Sequence, residues 1–135
     1  MSDLAVFDTS VLIDNWRTNR HAQRLANSSF LIRNCSVVLA ELWRGATEPE
    51  ERATLREIER NHATLTPTAN NWLESGQILA RMQADHGFEP HKLRELHFDV
   101  LIALTARTYG ARLITSNRTD FEMIRKYRGF ELELW

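Results

Sequence analysis

Apolar and polar positions change their spacing repeatedly along this chain, and each change marks an element. Leu4-Ala5-Val6-Phe7 is unbroken and apolar, which predicts a short buried strand, with a helix from about Thr9 to Trp16. A polar break and a short helix follow in "RTNRHAQRLAN". Phe30-Leu31-Ile32 predicts a second strand, and Ser36 is placed to cap a helix from Val37 to about Gly45. "TEPEERATLREIERNHA" predicts a strong helix, with Pro49 in its first turn and Leu55, Ile58 and His62 on one face. "LTPT" is a candidate third strand. Thr68 to His86 is a long amphipathic helix with Trp72, Ile78, Leu79 and Met82 as its apolar members, ended by Gly87.

"FEPHKLRELHF" reads as a loop with one helical turn. "DVLIALTARTYG" is apolar nearly all round, so it predicts a buried helix stopped by Gly110. Arg112 to Thr115 is a strand, Asn117 opens a short helix through about Lys126, and "FELELW" alternates as a final edge strand does. Strands alternating with helices predict an α/β sandwich with a mainly parallel sheet, in one domain over residues 1–135. In such sheets ligands bind beyond the carboxyl ends of the strands, where Asp8 and Asn117 fall.

Composition narrows the class. With 43% hydrophobic and 26% charged residues, the chain fits a soluble globular protein. No apolar stretch approaches the roughly 18 residues of a membrane span. Met1-Ser2-Asp3 carries no basic signal region, so a cytoplasmic location is the default expectation. Cys35 is the only cysteine, which excludes an internal disulfide and a thiolate metal cluster; it reads as a small buried residue. The net charge of −1 argues against holding nucleic acid by bulk electrostatics alone. It leaves open an acidic site whose local charge a metal ion reverses.

Several groups sit against apolar sequence where a carboxylate or amide is costly. Asp8 ends the first strand, Glu41 lies inside "SVVLAELWRGA", Asp99 begins the most apolar helix, and Asn117 and Asp120 follow a strand in "LITSNRTDF". Each has a structural alternative. Asp8 or Thr9 can cap the first helix, Glu41 can be an exposed helix residue, Asp99 can answer a helix dipole, and Asn117 with Asp120 can form a capping box. Together, however, acids from four segments can converge on one sheet edge. Packed carboxylates repel, and a divalent cation removes that repulsion. Oxygen-only ligands select Mg²⁺ or Mn²⁺ over zinc.

Other side chains are weaker candidates. The histidines are His21, His62, His86, His91 and His97; no pair has H-x-x-x-H spacing, and His97 stands nearest the acid segment. Arg17, Arg20, Arg24, Lys92, Arg94 and Arg118 suit phosphate contacts or plain solvated surface. Trp16 and Trp43 follow the acid motifs and suit either an interface or the core.

Four segments, "FDTSVLID", "SVVLAELWRGA", "FDVLIALTARTYG" and "LITSNRTDFEMI", occur in this order over essentially the whole chain. In them the sequence resembles the PIN-domain ribonucleases, and among these the VapC-like toxins of bacterial type II toxin–antitoxin pairs. The resemblance implies a three-layer α/β/α sandwich and metal-dependent endonucleolytic cleavage of RNA with Mg²⁺ or Mn²⁺. By motif, Asp8, Glu41 and Asp99 match the three core acids, and Asn117 stands where many members carry a fourth Asp. Asp120 then supplies the missing charge, and the Thr9 and Ser116 hydroxyls orient ligands or water. The implied products carry a 5′-phosphate and a 3′-hydroxyl. The implied partners are an RNA substrate, an antitoxin whose tail covers the site, and a second copy of the chain in a homodimer.

The main alternative is a catalytically degenerate PIN-like domain that binds RNA or protein without cutting. A receiver domain is disfavoured because Thr9 and Ser10 follow Asp8 where an acidic pair belongs elsewhere. A D-x-D phosphatase is disfavoured because Ser10 replaces its second Asp.

Overall fold

Alternate residues of the first strand go to opposite sides of the sheet. Val6 packs with Leu113 and the larger core, while Ala5 and Phe7 pack with Ile114 and a smaller one. Both faces are therefore covered, which is why these strands read as unbroken apolar runs. The computed structural model describes residues 3–135; Met1 and Ser2, on which the expected lack of a signal region partly rests, lie outside the described residues.

The elements run β1 (Leu4–Phe7), α1 (Thr9–Thr18), α2 (Ala22–Asn27), β2 (Leu31–Cys35), α3 (Ser36–Gly45), α4 (Pro49–Asn61), β3 (Thr64–Leu65), α5 (Ala69–His86), α6 (Pro90–Thr108), β4 (Arg112–Thr115), α7 (Arg118–Arg125) and β5 (Leu132–Leu134). The five strands are parallel and ordered β3-β2-β1-β4-β5. Residues of α1 and α2 cover the smaller core, and α3 to α7 contribute to the larger one, giving the expected α/β/α sandwich. Fully buried Phe121 and Ile124 anchor α7 in the larger core. A Phe121→Ala change would cost about 3–5 kcal/mol.

The strand order reverses direction at β1. From there the chain steps to β2 on one side and later to β4 on the other, so the ends of β1 and β4 form the topological switch point. Phe7 pairs with Ile114, which sets Asp8 beside Thr115 just past the register.

Several local expectations need correction. Lys92 and Asp99 lie on one 19-residue helix, α6, and the segment before Asp99 is not a loop. Pro90 occupies the first turn of α6, where its missing N–H costs nothing, and the charged first half disguises the pattern. Asp99 is thus mid-helix, and a dipole role at a helix start no longer applies. Ser36 is the first residue of α3 rather than its cap, and its hydroxyl donates to Thr66 Oγ1 at 2.9 Å. Trp72 is 52% exposed and does not belong to the buried face of α5. α1 runs two residues past Trp16, ending where Asn19 adopts a left-handed conformation (φ 57°).

Candidate metal centre

Asp8 is positioned by the end of β1 and held by hydroxyls. Its backbone N–H donates to Ile114 O at 2.9 Å, continuing the ladder with β4. Its side chain does not cap α1. Instead Ser10 Oγ and Thr115 Oγ1 both donate to Asp8 Oδ2, at 2.9 and 2.8 Å. The carboxylate is 4% exposed, so these bonds compensate part of its lost hydration. Ser116 N–H donates to Ser10 Oγ at 3.1 Å and Asn117 N–H to Thr115 Oγ1 at 2.9 Å, so the turn after β4 is clamped to the start of α1.

Glu41 projects from α3, whose buried face carries Val37, Val38 and Leu42. Thr9 Oγ1 donates to Glu41 Oε1 at 3.2 Å, linking α1 to α3. Burial raises the Glu41 pKa, the Thr9 bond opposes that rise, and the Asp8 charge adds to it. Asp99, from α6, is pushed up to about 8, first by burial and then by Asp8, Asp120 and Glu41, with Lys92 opposing. Three acids from other segments, Asp8, Asp120 and Glu41, therefore act on Asp99.

Asn117 and Asp120 both act at the start of α7. Asn117 Oδ1 accepts from Asp120 N–H at 3.3 Å as the helix cap, and Asn117 Nδ2 donates to Asp120 Oδ2 at 3.1 Å. Asp120 also receives Lys92 Nζ on both oxygens, at 3.1 and 2.9 Å. That bond is the largest influence raising the Lys92 pKa.

Glu41, Asp99, Asn117 and Asp120 line a cleft of about 620 Å³, together with Arg44 and Arg94. His91 and His97 also line it, but each has a partner of its own. His91 pairs with Glu95 at 3.1 Å, and His97 Nε2 bonds the Ser75 hydroxyl at 3.1 Å, with burial lowering its pKa. Arg44 stacks over Phe98 at 5.5 Å on the cleft wall. Arg118 pairs with Glu122, and Arg24 stacks on Trp135, away from the cleft.

The donor chemistry fits a hard divalent cation: every acid offers oxygen, and burial with three neighbouring acids makes a full set of negative charges at Asp99 costly. Among the described residues, however, no three His, Cys, Asp or Glu side chains already stand as a metal-ready group. Closing the site therefore requires side-chain movement from these positions. Sequence reasoning missed Ser10, Thr115 and Arg44. Ser10 is visible two residues from Asp8; Thr115 requires knowledge that β1 and β4 are neighbours. The Ser116 hydroxyl, expected to orient a ligand, donates instead to Asp14 at 3.4 Å.

Three solved structures share this architecture. DNA-bound VapBC from Salmonella typhimurium aligns with TM-score 0.70 at 24% identity, covering 97% of each chain. VapBC-1 from nontypeable Haemophilus influenzae aligns with TM-score 0.71 at 20% identity, covering 98% of each. A toxin–antitoxin complex from Klebsiella pneumoniae aligns with TM-score 0.59 at 21% identity, covering 87% of this chain and 89% of that one. At these identities the likeness is one of fold. Comparison with curated protein sequences gives no significant match. The PIN domain profile matches residues 5–127, nearly the whole sandwich from β1 past the end of α7, and the chain belongs to the PIN domain family.

Proposed function

We propose that this PIN domain is an endoribonuclease dependent on Mg²⁺ or Mn²⁺ and the toxin of a toxin–antitoxin pair. The observation that supports it best is Asp99, a carboxyl group pushed up to about 8 by burial and three neighbouring acids at the edge of an open cleft. A carboxyl group so perturbed by burial and charged neighbours beside a cleft is a functional-site candidate.

Asp8, Glu41 and Asp99 would hold the ion. Bound there, it supplies charge neutralisation for the phosphate and a lower pKa for water. The hydroxyls of Ser10 and Thr115 both donate to Asp8 Oδ2 and fix the orientation in which the carboxylate would hold the ion. Asp99 would hold it in its ionised form. Glu41, raised in pKa and oriented by Thr9, accepts a proton from the attacking water. Arg44 and Arg94 line the cleft and neutralise the phosphates that flank the scissile bond. In-line attack leaves a 5′-phosphate and a 3′-hydroxyl.

The partner reading rests on the VapBC and toxin–antitoxin complexes that share the fold. It is tested by copurification with the product of the adjacent open reading frame. Loss of a specific complex would remove the toxin and leave the nuclease.

The activity is tested by incubating purified protein with end-labelled single-stranded RNA. Cleavage with Mn²⁺, its loss in EDTA and its loss in Asp99→Asn are the expected results. Full cleavage in EDTA, or 2′,3′-cyclic phosphate products, would overturn the metal mechanism. A second reading, a binding domain that does not cut, is favoured by the Lys92 contact with Asp120, which gives an acid of the cleft a protein partner. RNA binding without cleavage in this assay would establish it.

A further inference from the structure

We propose that the Lys92 ammonium, paired with Asp120 of the cleft wall, takes the place of a second metal ion there, so that the centre takes one divalent cation through Asp8, Glu41 and Asp99. This rests on the metal-dependent reading above and specifies its ion count.

The geometry at Asp120 carries the argument. Lys92 Nζ lies 3.1 Å from Oδ1 and 2.9 Å from Oδ2, so it donates to both oxygens of the carboxylate. Asn117 Nδ2 adds a bond to Oδ2 at 3.1 Å, and the Asp120 N–H is tied to Asn117 Oδ1. The Asp120 side chain is 14% exposed, so the carboxylate half of the pairing is largely withdrawn from water. A metal ion at Asp120 would have to displace the ammonium and then share a short space with it. Coulomb repulsion at such distance opposes both steps.

Lys92 is also delivered by rigid structure. It precedes Asp99 by seven residues on α6, two helical turns, so both side chains leave the same face about 10 Å apart. The position is unfavourable for the helix itself. Lys92 lies in the first turn of α6, which contains no acid, and a cation there opposes the macrodipole. A lysine kept at such a position has its compensation elsewhere, and that compensation is Asp120 on α7.

The test counts ions. Mn²⁺ is titrated into the full chain and free Mn²⁺ is read by electron paramagnetic resonance, for the native protein, Lys92→Met, Lys92→Met with Asp120→Asn, and Asp99→Asn. Lys92 is 34% exposed, so its replacement is compatible with folding, which circular dichroism checks; Lys92→Gln is a second variant. The expected result is one Mn²⁺ in the native chain, two in Lys92→Met or Lys92→Gln, one again when Asp120→Asn is added, and none tightly bound in Asp99→Asn. Two ions in the native chain, or one in both lysine variants, would overturn the lysine assignment while leaving a metal nuclease. No Mn²⁺ in the native chain would overturn the metal reading and this inference with it.

Discussion

Thr115 Oγ1 donates to Asp8 Oδ2 at 2.8 Å, a bond that joins the ends of two adjacent strands across 107 residues of sequence. The carboxylate it holds is nearly inaccessible to water, so the hydroxyl replaces solvation that burial removed. Thr115→Val keeps the shape and deletes the donor. It should destabilise the apo protein by about 1–3 kcal/mol, the cost of a buried polar group left short of a partner. It should also lower Mn²⁺ affinity by roughly 10–100-fold, as loss of groups supporting a metal ligand does. Denaturant melts and Mn²⁺ titration check both. Unchanged metal affinity with lost stability would make Thr115 structural only.

Asp99 gives a pH dependence of definite sign. Its folded pKa of about 8 stands above its ordinary value of 3.8, so the folded chain binds the proton more tightly than the unfolded one. The contribution to stability is fully present below pH 4 and is lost as pH rises through 8. Asp99→Asn removes this loss. A tenfold difference in proton affinity between folded and unfolded chains corresponds to about 1.4 kcal/mol. Allowing only that much, because solvent screens the site, gives a Tm several degrees above native at pH 8 in EDTA. The gain should shrink toward pH 5. A variant that melts below the native protein at pH 8 would mean that the Asp99 carboxylate is a structural acceptor.

The same group predicts proton release. Mn²⁺ binding at pH 6.5 must discharge the Asp99 proton, and at pH 9 the site is already ionised. Calorimetry in two buffers of different ionisation enthalpy should therefore report about one proton released at the lower pH and close to none at the higher. Equal release at both would place the proton on another group.

Much of this centre is legible in the sequence because strands ending in acids are costly without a partner. Asp8, Glu41, Asp99 and Asp120 lie in four separate segments, and the structure brings them close enough for each of the others to raise Asp99. The α/β order is legible because apolar runs and helical spacing alternate cleanly. What escapes is non-local or locally disguised. The extent of α6 is hidden because its first half carries charge on its exposed side, so its apolar periodicity fades before Asp99. Losing that half hides that Lys92 and Asp99 leave one helix two turns apart, and so leaves Lys92 as one phosphate-contact candidate among several. Trp72 reads as part of a buried face because a large aromatic at helical spacing ordinarily belongs there, yet it stands half open and edge-on to His97, with ring centroids 5.9 Å apart. The clamp of Ser10 and Thr115 on Asp8 depends on which strands are neighbours, which no window of sequence contains.

Arg44 should govern binding more than chemistry. It lines the cleft and stacks over Phe98. Arg44→Ala should weaken single-stranded RNA binding severalfold across unrelated sequences and reduce its salt dependence by about one counterion. Fluorescence anisotropy in EDTA at several salt concentrations measures this without cleavage. A loss confined to one sequence would instead make Arg44 a base reader.

Thr9 and Glu41 supply the last prediction. Burial and the Asp8 charge raise the Glu41 pKa, and the 3.2 Å bond from Thr9 Oγ1 is the largest opposing influence. Glu41 works as a proton acceptor only when ionised, so its pKa sets the acid limb of the pH–rate profile. Thr9→Val removes the bond and preserves volume, which should move that limb to higher pH. At pH 6 the variant should then be slowed more than at pH 8, with saturating Mn²⁺ at both. Thr9→Ser keeps a hydroxyl and should restore much of the native limb. Glu41→Gln should lose cleavage at every pH. A uniform slowing in Thr9→Val, with the limb unmoved, would mean that Thr9 merely packs α1 against α3, and the proton acceptor would have to be sought among the other carboxylates of the cleft.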